Sequence, residues 1–156
     1  MQISTRGLDL IKLSEGFRAF PYKDVAGILT IGYGHRIAPH ESFPEPITEP
    51  EAETLLARDV AIAGQSVSRL VHVPLTQGQF DALVDFVFNL GAERLANSTL
   101  LRDLNTGSFP EAAQQLLLWD HSGSKINPGL SRRRHAEFQL FTGAAAELPT
   151  VTTTAA

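Results

Sequence analysis

Residues 15–35 read EGFRAFPYKDVAGILTIGYGH. The pattern of the chain changes inside this stretch. Upstream of it, Leu8, Ile11 and Glu15 fall at i, i+3 and i+7, so they share one helical face. Ser4 is a good N-cap and Gly16 a good stop, which predicts a helix from Ser4 to about Ser14. Within the stretch, Phe17, Phe20 and Tyr22, then Ile28, Thr30, Ile31 and Tyr33, are interleaved with glycine. Aromatic and β-branched residues in that arrangement predict a small sheet over about 17–38. Lys23 to Gly27 is its turn, with Asp24 and Gly27 as turn residues. Strand alternation sets Ile28, Thr30 and Gly32 on one face and Leu29, Ile31 and Tyr33 on the other.

Downstream the pattern is helical. Three prolines in residues 39–46 make a loop, and Thr48 with Glu51 forms a capping box that opens a long amphipathic helix to about Leu70. Thr76 with Gln79 is a second box, starting a helix that carries Phe80, Leu83, Val84, Val87 and Phe88 and ends at Gly91. A short helix is expected around Leu100 to Leu104. Ser108 with Glu111 is a third box, for a helix to about Trp119. Residues 120–129 read as a polar loop, and a last helix covers about Ser131 to Phe141, capped by Gly143. The order is helix, small sheet, long helix, helical lobe: an α+β chain with one domain over 1–143, a helical lobe over about 48–143, and a flexible, Thr-rich tail over 144–156. A junction between a small sheet and a helical lobe is a natural ligand cleft.

Composition narrows the class. The chain has 156 residues, enough for one domain with a sizeable core and too few for two ordinary ones. With 43% hydrophobic and 19% charged residues, extensive disorder is excluded. The absence of cysteine removes disulfide scaffolds, thiol nucleophiles and Cys-ligated metals. Apolar runs reach four residues, as at Leu116 to Trp119, against about 20 for a membrane span. No charged start followed by an apolar segment marks a secretory signal, so synthesis in a cytoplasm without a signal peptide is expected. A formal charge of −4 argues against nucleic acid, the run Arg132 to Arg134 being the local exception.

Two carboxylates are the candidates for chemistry, against the plainer readings of a surface glutamate at a frayed helix end and an ordinary turn aspartate. Glu15 closes a helix, where the macrodipole disfavours negative charge, and extends the apolar face of Leu8 and Ile11. Both effects work against its charged form, the condition a general acid needs. Asp24, nine residues on, sits in a turn beside Lys23, where it should stay ionised. One shielded carboxyl and one solvated carboxylate across a lobe junction suggest glycoside hydrolysis.

Glu15-Gly16-Phe17, Tyr22-Lys23-Asp24 and Leu29-Thr30-Ile31-Gly32-Tyr33-Gly34-His35 resemble the phage-type lysozyme (endolysin) family. Phe86 to Gly91, Asn97 to Leu101 and Pro128 to Arg134 resemble later motifs of the same family, and the likeness covers about residues 4–143. The resemblance implies a lysozyme-like α+β fold with a cleft between its lobes, and hydrolysis of the β-1,4 bond between N-acetylmuramic acid and N-acetylglucosamine in peptidoglycan, serving host lysis. It implies Glu15 as general acid, with Asp24 and Thr30 holding the attacking water in the inverting geometry. Gly32, beside Thr30, would leave room for a sugar. Phe88, Asn89 and Ser98 resemble cleft-lining, substrate-binding positions, and Gln115 joins them on helical register alone. The expected partners are peptidoglycan glycan strands, reached through a pore such as a holin, with the chain acting as a monomer on the cell wall in the periplasm.

His35 reads as structural or ion-paired, because the five histidines show no metal-ligand spacing; neither metal nor cofactor is expected. Trp119 reads as core. Arg132 to Arg134 could attract an anionic wall or membrane surface, or form ion pairs on a helix. The competing readings are a wall-binding module without activity and a lytic transglycosylase, which would use one Glu without a partner carboxylate and leave an anhydro product.

Overall fold

The computed structural model describes residues 1–144; the tail expected over 144–156 lies, from residue 145 on, outside the described residues. The first helix, α1 (Thr5–Glu15), starts at Ser4, whose side chain accepts from Gly7 N, and ends where Gly16 takes φ +70°. Its start is latched to another part of the chain. The buried Asp81 carboxylate accepts from the Ser4 backbone N–H at 2.9 Å, from the Ser4 hydroxyl, and from Gln77.

The sheet follows in the order β1 (Arg18–Lys23), β2 (Leu29–Gly32), β3 (His35–Arg36), all antiparallel with β2 central. Tyr22 faces Thr30, and Lys23 faces Leu29. The register slips between Arg18 and Tyr22, the segment that contains Pro21. A proline has no N–H to give the ladder, so a bulge on an edge strand is where it fits. Thr30, Ile31 and Gly32 of β2 are all buried, and the helix over Glu49–Leu70 packs on the strand.

α2 (Glu49–Leu70) is the longest element, about 33 Å at the usual rise per residue. It opens on the expected box: Thr48 Oγ1 accepts from Glu51 N, and Glu51 accepts from Thr48 N at 2.7 Å. It packs on β2 and β3 as well as on two later helices, so it ties the sheet to the helical lobe. α3 (Gln77–Leu90) opens on the Thr76–Gln79 box and is buried from Phe80 to Val87 without a break. It is the central rod, against which α1, α2 and α7 (Pro128–Thr142) pack. α1 therefore belongs spatially to the helical lobe although it precedes the sheet in sequence.

Between α3 and α7 lie α4 (Ala92–Ala96), α5 (Thr99–Asn105), α6 (Phe109–Leu116) and a hairpin, β4 (His121–Ser122) with β5 (Lys125–Ile126). Three details differ from the sequence reading. α4 is an added turn of helix after Gly91. The polar segment 120–129 holds a hairpin over 121–126, its strands joined by Gly123 and Ser124 with Gly123 at φ +62°, and its last two residues already belong to α7. The third box does not form. Ser108 makes no capping bond and instead pairs its hydroxyl with Thr106. Pro110 in the first turn of α6 has no N–H, which leaves one donor fewer to satisfy there. Trp119 is packed edge-on to Phe86 at 5.4 Å. No helix among the described residues is long and apolar enough to cross a membrane.

Candidate active site

Glu15 is carried to the sheet by the end of α1. A Cβ built on Gly34, in the β2–β3 turn, would lie 2.8 Å from Glu15 Oε2. Gly34 has φ +75°, so both the backbone and the carboxyl require glycine there. The sequence left Glu15 on an apolar helix end. The structure adds a cation: Arg133 Nη1 donates to Glu15 Oε1 at 2.7 Å. With Oε1 engaged by Arg133, Oε2 is the oxygen left against Gly34.

Asp24 sits in the β1–β2 turn, as expected. Its Oδ1 accepts from Ala26 N and Ile28 N, both at 2.9 Å, and Oδ2 accepts no hydrogen bond among the described residues. The turn thus fixes the carboxylate through one oxygen and presents the other.

Thr30, on β2, is 3% exposed and donates its hydroxyl to Ile28 O at 2.9 Å, which leaves its oxygen able to accept. Tyr22, its cross-strand partner, was not singled out from sequence. Burial, and then the charge of Glu15, with a smaller push from Asp24, raise its phenol above the usual value against the pull of Arg18. Tyr22 thus lies within electrostatic reach of both carboxylates. Gly32 does not make room for a sugar. A Cβ there would meet Ala52 at 3.1 Å and Ile47 at 3.4 Å, so the space is filled by the core.

A groove of about 280 Å³ runs beside this corner, lined among others by Gly34, Arg36, Asp59, Ser66, Phe88 and Gly91. It joins the turn that holds Glu15 to the end of α3. None of Glu15, Asp24 and Thr30 lines this groove or either of two larger depressions, of about 690 and 700 Å³, so the chemistry of the residues rather than volume points to the site.

The candidate binding residues separate. Phe88 lines the groove. Asn89 accepts from Arg134 Nη2 at 2.9 Å through Oδ1, which leaves its amide N–H groups as donors. Ser98 stands apart. It is buried, its Oγ accepts from Leu101 N and donates to Leu95 O, and both functions of the hydroxyl are spent on capping α5. Gln115 lies half-buried on α6, which packs on α5 and α7.

The arginine run is not a surface patch. Arg132 is exposed, whereas Arg133 and Arg134 are buried and paired with acids. Asp85 and Glu137, both fully buried, complete that cluster and were not identified from sequence. The signal was available. Arg133, Arg134 and Glu137 fall on one face of a helix, as did Asp81 and Asp85 inside an otherwise apolar helix. His35 bridges two carboxylates, Asp59 from Nδ1 at 2.8 Å and Glu41 from Nε2 at 2.9 Å.

Comparison with known proteins places the chain. The family model described as "Phage lysozyme" matches residues 12–137. The endolysin of Bacillus phage B103 is 45% identical over 146 residues, which is 90% of this chain and 54% of that protein, so the chain spans about half of that relative. The endolysin of Salmonella phage P22 is 40% identical over 144 residues, covering 90% of this chain and 98% of that one. The muramidase domain of SpmX from Asticaccaulis excentricus superposes with a TM-score of 0.80 at 40% identity, over 90% of this chain and 97% of that one. On the family match and these relatives, the chain belongs to the phage lysozyme family.

Proposed function

We propose that this chain is a peptidoglycan-cleaving lysozyme that hydrolyses the β-1,4 bond between N-acetylmuramic acid and N-acetylglucosamine with inversion, for lysis of a bacterial host. The observation that carries the reading is that the two carboxyls are held in different ways. Glu15 is clamped by Arg133 against Gly34 beside the groove, and Asp24 is fixed by its turn with Oδ2 free. Glu15 Oε2 gives its proton to the leaving glycosidic oxygen. Asp24 Oδ2 and Thr30 Oγ1 hold the attacking water on the other face of the sugar, each as an acceptor. Phe88 and the Asn89 amide bind the glycan strand from the α3 side. One catalytic unit over residues 1–143, acting as a monomer and released to the wall through a holin-type pore, belongs to the same reading.

The test is mass analysis of the products from purified sacculi. Reducing muropeptides are expected. Anhydro products would make the chain a transglycosylase, and binding without any soluble product would make it a wall-binding module.

A further inference from the structure

Beneath the site lies a continuous polar network. Glu15 accepts from Arg133 Nη1, and Arg133 Nε and Nη2 donate to the two oxygens of Asp85 at 2.9 Å each. Glu137 Oε1 accepts from Arg134 Nη2 at 2.7 Å, and the same nitrogen donates to Asn89 Oδ1. It also lies 3.9 Å from Asp85, so one guanidinium nitrogen stands beside both buried acids. The guanidinium of Arg134 rests 5.4 Å from the centre of the Phe86 ring, and its Nε and Nη1 lack partners. The network thus begins at the proposed acid, ends at a proposed substrate-binding amide, and crosses α1, α3 and α7.

The side chains of Asp85, Glu137 and Arg134 are fully buried, so every polar atom there needs a partner. The two acids are not equally satisfied. Both Asp85 oxygens are already engaged by Arg133, whereas Glu137 Oε2 is buried with no donor to accept from. An ionised Oε2 there would be an unsatisfied anion. A protonated Oε2 is a donor, and Asp85, which stands beside the same Arg134 nitrogen, is the neighbouring acid that can accept from it.

We propose that Glu137 is a positioning residue of this enzyme: as a neutral carboxylic acid it donates to Asp85 while accepting from Arg134, and so fixes both arginines, Arg133 onto Glu15 and Arg134 onto Asn89. The direction of titration agrees. Burial, then the charge of Asp85, push Glu137 well above the usual carboxyl range. Burial would also raise Asp85, but the Arg133 guanidinium and the Glu137 hydrogen bond outweigh it and hold Asp85 low. The inference rests on the function proposed above for its catalytic consequence, though not for its proton.

The experiment has two arms, both on the full chain. In the first, infrared spectra of protein labelled with ¹³C-glutamate are recorded at neutral pH. A carbonyl band of a neutral carboxylic acid, shifted by the label and missing from Glu137→Gln, is expected. No such band in the wild type overturns the proposal. In the second, turnover on soluble glycan fragments is measured per folded molecule. Glu137→Leu, which can neither donate nor accept, should lose about 10- to 100-fold in kcat, the scale of a misplaced catalytic group, with a smaller change in KM. Glu137→Gln reproduces the donor and the acceptor and should stay within about threefold of wild type, a rescue that follows from hydrogen-bond geometry. If Glu137→Leu does not fold, Glu137→Gln still decides: a folded Gln variant as slow as one lacking Glu15 overturns the positioning role. A wild-type chain that releases no product from sacculi refutes the proposed function and the positioning role together, while the infrared band still reports on the proton.

Discussion

Glu15 and Gly34 occupy each other's space: the carboxyl of the first lies where the side chain of the second would begin, 2.8 Å from an ideal Cβ. Gly34→Ala must therefore move the carboxyl. The φ of +75° adds about 1–2 kcal/mol of backbone strain for any other residue. We expect a folded protein with a modestly lowered melting temperature and about 10²-fold less activity, the scale of a misplaced catalytic group. Turbidity clearance of sacculi alongside a thermal melt checks this. Near-normal clearance would show that Glu15 works from another position.

Removing the acid without removing its shape gives a sharper result. Glu15→Gln keeps an oxygen for Arg133 Nη1, so the fold should be retained. It cannot deliver a proton in the same way, and a loss of at least about 10²-fold in rate is expected. Substantial lysis by a folded Glu15→Gln protein would remove Glu15 from the mechanism.

The anomeric form of the product separates a water-holding Asp24 from a nucleophilic one. Proton NMR of a fresh digest, read before mutarotation, should show the α reducing end. A β product would make Asp24 a nucleophile and end the role given to Thr30. Thr30→Ala should be slow and yet folded. Thr30 is buried rather than on an open strand face, but its acceptor, Ile28 O, also receives the Asp24 N–H at 3.0 Å. The cost should be about 1 kcal/mol, since no buried group loses its last partner.

His35 supplies a pH dependence of stability. Burial works against its charge, but the hydrogen bonds and charges of Asp59 and Glu41 outweigh it and hold the imidazole above its ordinary value. A group raised on folding contributes fully below its unfolded value, about 6.5, and loses that contribution as pH rises through the folded one. Glu41 behaves oppositely. It is held low first by the Ala38 N–H and then, against burial, by His35, so its contribution is lost on the acid side. Burial pushes Asp59 up despite His35, which blunts the pair at low pH. The melting temperature should fall as pH rises above about 6.5, and His35→Asn should flatten that slope. An equal slope in the variant would place the dependence elsewhere.

The sequence was most readable where a local rule has one physical outcome. Thr48 with Glu51, and Thr76 with Gln79, are reciprocal caps that need no tertiary context, and both form. The glycine after Glu15 and the turn at Asp24 follow from backbone sterics alone. Legibility ended where a distant residue decides. Ser108 has the same pattern as the other two boxes, but its hydroxyl finds Thr106. Gly32 looked like space for a ligand, and only α2 folding over it shows that Ala52 takes the room. Glu15 looked bare because its partner arises far along the chain. Asp85 and Glu137 were marked only by their place on helix faces, and which charges they meet is decided when α3 and α7 pack together.

The Glu15–Arg133 bond closes a span of 118 residues, and α1 can settle only on helices made after it. A ribosome has therefore translated as far as Arg133 before the proposed acid acquires its clamp. Fragments released early, by stalling or by cleavage before α7, would carry Glu15, Asp24 and Thr30 intact and still lack the Arg133 contact. The order of synthesis thus works as a delay, in which the proposed acid is positioned only once α7 has been made.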